Sequence, residues 1–144
     1  MDPGGLLVDD PRYYNTWNRL IVQLNHFLKL KDDWDGRGAD APALSVVYAS
    51  VSLAHLFRDE DMVAACRVSA GECGMVHFEW YRFGCNLAIT VRKPDEVEVV
   101  SYSNLGRYTS EVFRWGSRPI EAIMGIVKPL TGRPGLDGVE IFAV

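Results

Sequence analysis

The sequence predicts an α+β fold, in which two N-terminal helices cover one face of an antiparallel β-meander of about four to five strands, followed by a third helix. Apolar residues recur at helical spacing in the first part of the chain, and from about residue 64 they alternate with polar residues, as in half-buried strands. A chain of 144 residues buries roughly two-thirds of its unfolded surface, which suits a single domain over 1–144.

Helix signals define the predicted bounds. The first helix is predicted near residues 11–30, because Asp10 accepts a free backbone N–H and Pro11 suits the first helical position. Its apolar stripe consists of Tyr13, Trp17, Leu20, Leu24 and Phe27. The second helix is predicted near residues 43–58, with Asp40 as the capping residue. Its expected apolar face consists of Leu44, Val47, Tyr48, Val51 and Ala54. The third helix is predicted near residues 118–128, before Pro129.

Period-two alternation predicts the strands, around residues 76–81, 87–92, 97–101 and 107–115, with shorter ones near 64–69 and 139–143. Gly84 and Pro94 mark tight turns between successive strands. An antiparallel meander of this kind buries one face under the helices and leaves the other face polar.

Composition and missing motifs narrow the function classes. No apolar run approaches the ~20 residues of a membrane span, and residues 1–10 do not have the pattern of a secretory signal. The three cysteines lack C-x-x-C spacing, which predicts reduced thiols. We therefore expect a cytoplasmic protein. The sequence lacks a phosphate-binding P-loop, a dinucleotide fingerprint, a zinc-peptidase motif and a serine-hydrolase elbow. We therefore predict no cofactor and no metal, and we lean against an enzyme.

Charge disfavours nucleic acid as the partner. The net charge is −4, whereas phosphate recognition depends on lysine and arginine. The stretch from Leu105 to Gly135 is an exception, because it carries five bases and only two acids. A nucleic-acid surface would use Arg107, Arg114, Arg118, Lys128 and Arg133.

A loop motif, Trp34-Asp35-Gly36-Arg37-Gly38-Ala39 followed by Pro42, precedes a later Glu79-Trp80 pair on a strand. This pattern resembles a small bacterial protein family whose members are sometimes encoded near toxin–antitoxin or mobile-element genes. The resemblance covers about residues 20–103, and Ala43 stands where the family usually has serine. It implies a fold and a genomic neighbourhood, and it supplies no catalytic residue.

The motif has a structural and a functional interpretation. Structurally, Trp34 anchors the loop, Asp35 accepts backbone N–H groups, and the two glycines adopt positive φ. Functionally, Asp33 and Asp35 converge with His77 and Glu79, which share one face of a strand, to bind a cation or act as acid and base. The second interpretation describes a metal-dependent hydrolase or nuclease.

The leading hypothesis is a non-enzymatic protein-interaction or inhibitor protein, antitoxin-like or related to mobile elements or defence. Its partner protein is expected to contact the acidic loop or the polar sheet face, where tyrosine and arginine concentrate binding energy. The candidate binding residues are Asp33, Trp34, Asp35, Arg37, His77, Glu79, Tyr81, Arg92 and Tyr102. A second candidate patch includes Tyr108, Phe113, Arg114, Trp115 and Arg118. The oligomeric state is left open.

Overall fold

The computed structural model describes residues 15–82, 85–103 and 108–114. Its helices are α1, Trp17–His26, extended by a 3₁₀ turn at Phe27–Lys29, and α2, Leu44–Asp59. The strands are β1 Arg67–Ala70, β2 Val76–Arg82, β3 Cys85–Lys93, β4 Glu96–Ser103 and β5 Tyr108–Arg114. They form one antiparallel sheet in the order β1-β2-β3-β4-β5. The α+β class is confirmed, whereas the predicted third helix near 118–128 and the strand near 139–143 lie outside the described residues.

Helix α1 begins later than predicted. Thr16 is extended, with φ −124° and ψ 149°, and its hydroxyl accepts the Arg19 N–H at 3.2 Å. Threonine stabilises a helix start in this way because it satisfies one of the backbone donors that have no partner inside the helix. The prediction of one helix over 11–30 is therefore wrong at its start, and Asp10 and Pro11 lie outside the described residues.

Helix α2 matches its predicted bounds to within one residue and turns a different face inward. The residues that it buries are Val46, Val47, Ser50, Leu53, Ala54 and Phe57. Leu44 and Tyr48, predicted to be buried, are 57% and 56% exposed. Asp40 does not cap the helix: the capping position is Ala43, whose carbonyl accepts the N–H groups of Val46 and Val47. No helix in the described part of the chain has the length and apolarity to cross a membrane.

The link from α2 to the sheet is fixed by backbone and indole hydrogen bonds. At the end of α2, Asp61 adopts φ 60° and donates to Arg58, while Met62 donates to Phe57, which is the Schellman pattern of helix termination. The next two carbonyls accept indole protons, Met62 from Trp17 at 2.8 Å and Val63 from Trp80 at 3.0 Å. Both indoles thus bury their rings without losing a hydrogen-bond partner.

Strand alternation divides the sheet into two faces. The core face, directed at the helices, carries Val76, Phe78, Trp80, Leu87, Ile89, Val91, Val97 and Val99, all buried. The opposite face, called here the far face, carries the residues between them, among them His77, Glu79, Tyr81, Thr90, Glu98 and Tyr102.

Four aromatic rings join the helices to the core face. Trp17 of α1 and Phe57 of α2 lie 5.6 Å apart between ring centroids, and each contacts Phe78 and Trp80 of β2 at 6.1–6.3 Å. All five of these pairs are tilted or edge-to-face, the arrangement that aromatic quadrupoles favour. Both helices are therefore held by the same strand, β2.

We expect Trp17→Phe to lower the free energy of unfolding by about 1–3 kcal/mol, because it leaves the Met62 carbonyl without its donor and shrinks a buried ring. Urea denaturation measures the change. Trp34→Phe is the control, since the Trp34 indole bond is exposed and its loss should cost less than about 1 kcal/mol. Equal losses in the two variants would contradict the central role of Trp17.

Candidate functional site

The carboxylates of the acidic loop, residues 32–41, bind the loop's own backbone. Asp35 Oδ1 accepts the N–H groups of Arg37 at 2.8 Å and Ala39 at 3.1 Å. Asp33 Oδ1 accepts Gly38 N–H at 2.7 Å, and Asp32 Oδ1 accepts Ala41 N–H at 3.0 Å. Each aspartate therefore accepts backbone N–H groups that a helix or a sheet would otherwise have paired with a carbonyl.

The glycines of the motif serve the same turn. Gly36 and Gly38 have φ of 73° and 83°, a region that costs other residues about 1–2 kcal/mol. Asp33 itself adopts φ 65°, which aspartate tolerates better than most residues. Trp34 donates its indole proton to the Asp40 carbonyl at 3.1 Å and stays 36% exposed, and Arg37 is exposed.

The end of this loop docks on the turn between β1 and β2. Asp40 N–H donates to the Glu72 carbonyl at 2.9 Å, and Asp40 forms a β-bridge with Cys73. Gly74, at φ 78°, lies so close that an added Cβ would be 3.3 Å from the Ala41 carbonyl oxygen. The motif thus anchors the approach to α2 on the sheet.

We expect Asp35→Ala to destabilise the protein by about 1 kcal/mol, because two backbone donors lose their acceptor. Asp35→Asn should stay closer to wild type, because its amide oxygen still accepts hydrogen bonds. Thermal and urea unfolding compare the two variants. Equal destabilisation by alanine and asparagine would show that the negative charge of Asp35, rather than its acceptor oxygen, is what the loop requires.

His77 is half-buried on the far face. Its Nδ1 lies 2.8 Å from Thr90 Oγ1, and an added Cβ on Gly71 would come within 2.6 Å of its Nε2. This burial lowers the pKa of His77 below its ordinary value of 6.5. The charge of Arg67 also lowers the pKa, whereas the charges of Glu79 and Glu98 raise it. The neutral imidazole is the form that this position favours.

Glu79 belongs to a second pair on the far face. It lies opposite Arg67 in the strand register, and Arg67 Nε approaches Glu79 Oε2 to 3.3 Å. The structure thus brings His77 and Glu79 to one face, as their spacing predicts. Within residues 15–82, 85–103 and 108–114, no group of three or more His, Cys, Asp or Glu side chains is arranged to hold a metal ion, so Asp33, Asp35, His77 and Glu79 form no such cluster.

We predict that the protein loses stability as the pH falls through about 6.5, because the unfolded chain then takes up a proton that folded His77 resists. The contribution is complete above the ordinary histidine pKa and is lost below it. Urea denaturation between about pH 8 and pH 5 measures the slope. His77→Gln should flatten it, whereas His26→Gln, an exposed histidine in α1, should not; an unchanged slope in His77→Gln would contradict the assignment.

Arg92 lies where the pairing of β3 and β4 is irregular. The register shifts between Val91 and Lys93, which leaves Arg92 at a β-bulge. Arg92 Nε lies 3.6 Å from one oxygen of Glu96, and Arg114 Nε lies 3.0 Å from the other. Glu96 is only 5% exposed, so these arginines neutralise a buried carboxylate.

An aromatic row crosses the other end of the far face. Strand register places Tyr81 opposite Asn86, Asn86 opposite Tyr102, and Tyr102 opposite Tyr108. We call these four residues the tyrosine row. Tyr81 is half-buried, whereas Tyr102 and Tyr108 are 49% and 63% exposed. The candidate patches that the sequence separates, around Tyr102 and around Tyr108, therefore meet at adjacent strands.

Sequence reasoning missed two contributors to this face. Val112, 48% exposed, lies opposite Glu98 beside the row, and its alternation along β5 was the available signal. Glu96 lies just before the strand predicted around residues 97–101, and its ion pair with Arg92 depends on a bulge that the alternation pattern does not encode.

No protein-family model, curated protein or solved structure matches this chain. The resemblance carried by the loop motif therefore stays a prediction, and the site is interpreted from its own chemistry. Of the five bases predicted for a nucleic-acid surface, only Arg114 lies in the described part of the chain, where it is ion-paired with Glu96.

Proposed function

We propose that this protein is a non-enzymatic protein-binding module whose partner contacts the tyrosine row. The proposal rests on Tyr102 and Tyr108, which lie side by side on neighbouring strands and are about half exposed or more. Tyrosine offers a large rigid ring with a polar end at low entropic cost, and it is enriched among the residues that dominate binding energy.

Charge on the far face supports a protein partner over a nucleic acid. Arg67 is paired with Glu79, and Arg92 and Arg114 are paired with Glu96. These arginines are thus already compensated, whereas binding to phosphates depends on cations that displace counterions. The chemistry of the row itself, three phenols and the Asn86 amide, suits an apolar protein patch bordered by hydrogen-bonding groups.

We expect Tyr102→Ser to abolish partner capture and Tyr48→Ser to preserve it. Tyr48 is the matched control, because it is 56% exposed but lies on α2, away from the row. Affinity capture with quantitative mass spectrometry identifies proteins held by wild type and by Tyr48→Ser but lost from Tyr102→Ser. The purified pair is then measured by titration calorimetry, where loss of one central tyrosine should weaken binding by about 30-fold or more.

Two results would overturn the proposal. One is a partner that Tyr102→Ser and Tyr48→Ser retain equally well, and the other is no protein enriched by wild type over Tyr102→Ser. The narrower role of an inhibitor or antitoxin-like protein, suggested by the sequence resemblance, stays a prediction. It is tested by measuring the activity of the identified partner with and without this protein.

A further inference from the structure

Among the described strands, β5 forms one edge of the sheet. It pairs with β4 through all seven residues without a bulge, and no other described strand lies on its outer side. Six of its seven residues are exposed, the exception being the half-buried Phe113. The opposite edge, β1, has only four residues.

This edge lacks several of the features with which edge strands usually resist pairing, although it carries two charged residues, Glu111 and Arg114. Its sequence, Tyr-Thr-Ser-Glu-Val-Phe-Arg, has neither proline nor lysine. The unpaired N–H and C=O groups of such a strand form hydrogen bonds with any extended segment of suitable register. The exposed Tyr108 and Val112 lie two residues to either side of Ser110, on the far face.

We propose that the occupant of this edge is β5 of a second copy, paired antiparallel about a two-fold axis through Ser110. This register places Tyr108 opposite Val112 of the second copy, and Val112 opposite its Tyr108. Aromatic and β-branched side chains are a favourable cross-strand pair, so the two exposed apolar residues of the edge cover each other twice. Thr109 meets Glu111 of the second copy on the other face, as a hydrogen-bonding pair.

Two neighbouring registers, with the axis moved toward the end of β5, are less complementary. An axis through Glu111 places two carboxylates directly opposite each other, which is destabilising. An axis through Val112 sets Glu111 against Phe113 of the second copy and leaves Tyr108 without an opposite residue inside the strand. In a symmetric antiparallel pair, directly opposed residues point to the same face of the sheet. Only registers that place far-face residues opposite far-face residues are therefore available.

Pairing through Ser110 also extends the tyrosine row. Tyr102 lies opposite Tyr108 within one copy, and Tyr108 then lies opposite Val112 of the second. The result is a continuous ten-stranded sheet with two symmetric apolar strips on its far face. This inference does not depend on the proposed function, because the assay of assembly uses the purified chain alone.

Sedimentation of the full chain over a range of concentrations tests the dimer. Val112→Lys should raise the dimer dissociation constant about tenfold or more, because it puts a lysine on the edge and removes two symmetry-related pairs at once. Within one copy, the new lysine lies opposite Glu98, so the fold is retained. Val22→Lys is the control, since Val22 is 56% exposed on α1, and it should leave the constant unchanged.

Disulfide trapping tests the register. Directly opposed residues in an antiparallel pair have Cα atoms about 4.5–5.5 Å apart, within the range of a disulfide. Ser110→Cys should therefore give more disulfide-linked dimer in a glutathione buffer than Thr109→Cys or wild type, which share the exposed Cys73 as background. A chain that stays monomeric at all concentrations, equal effects of the two lysine substitutions, or cross-linking of Thr109→Cys rather than Ser110→Cys would overturn the proposal.

Discussion

The contact of Trp17 and Phe57 with the paired rings of Phe78 and Trp80 is the constraint on which the rest of the structure depends. Through it, two helices that also contact each other are fixed on one strand, and β2 lies at the centre of the core. The indole protons of Trp17 and Trp80 reach consecutive carbonyls after α2, so the same rings also set where the chain enters β1. Apolar burial and hydrogen bonding act at one place, so a small aromatic change there is expected to affect both layers.

The loop motif anchors the chain before α2 on the sheet. Three aspartates accept backbone protons of the loop, and Asp40 then joins the β1–β2 turn. Each of these carboxylates uses Oδ1 in this way, so a cation at that oxygen would compete with the backbone donors. The chemistry that gives the motif its distinctive sequence is therefore accounted for by the fold.

The sequence predicts most of the sheet and part of the helical layer, for physical reasons that particular residues illustrate. Alternation around Phe78 and Ile89 fixes which side chains face inward, since a register error would expose all of them at once. The sequence of α2 is apolar on several sides, so the pattern does not distinguish the face with Leu53 from the face with Tyr48, and packing against the aromatic rings decides it. The start of α1 at Thr16 and the bulge at Arg92 are not predicted. The first depends on which of several residues caps the helix, and the second depends on how two strands pair locally. Within the candidate site, the two-residue spacing of His77 and Glu79 predicts that they share one face of the sheet. The position of Tyr102 opposite Tyr108 depends on the register of β4 and β5, which the sequence does not give.

The far face has two parts, one in which polar side chains bond to one another and one in which aromatic rings are exposed. Toward the bulge, Glu96 has its arginines, His77 has Thr90, and Glu98 accepts the Ser110 hydroxyl. Toward the other end, Tyr102 and Tyr108 expose ring surface on adjacent strands, which scattered surface aromatics do not do. Both halves lie on the same strands, whose inward residues supply the core. The proposed binding function rests on these two exposed rings, which lie side by side on adjacent strands.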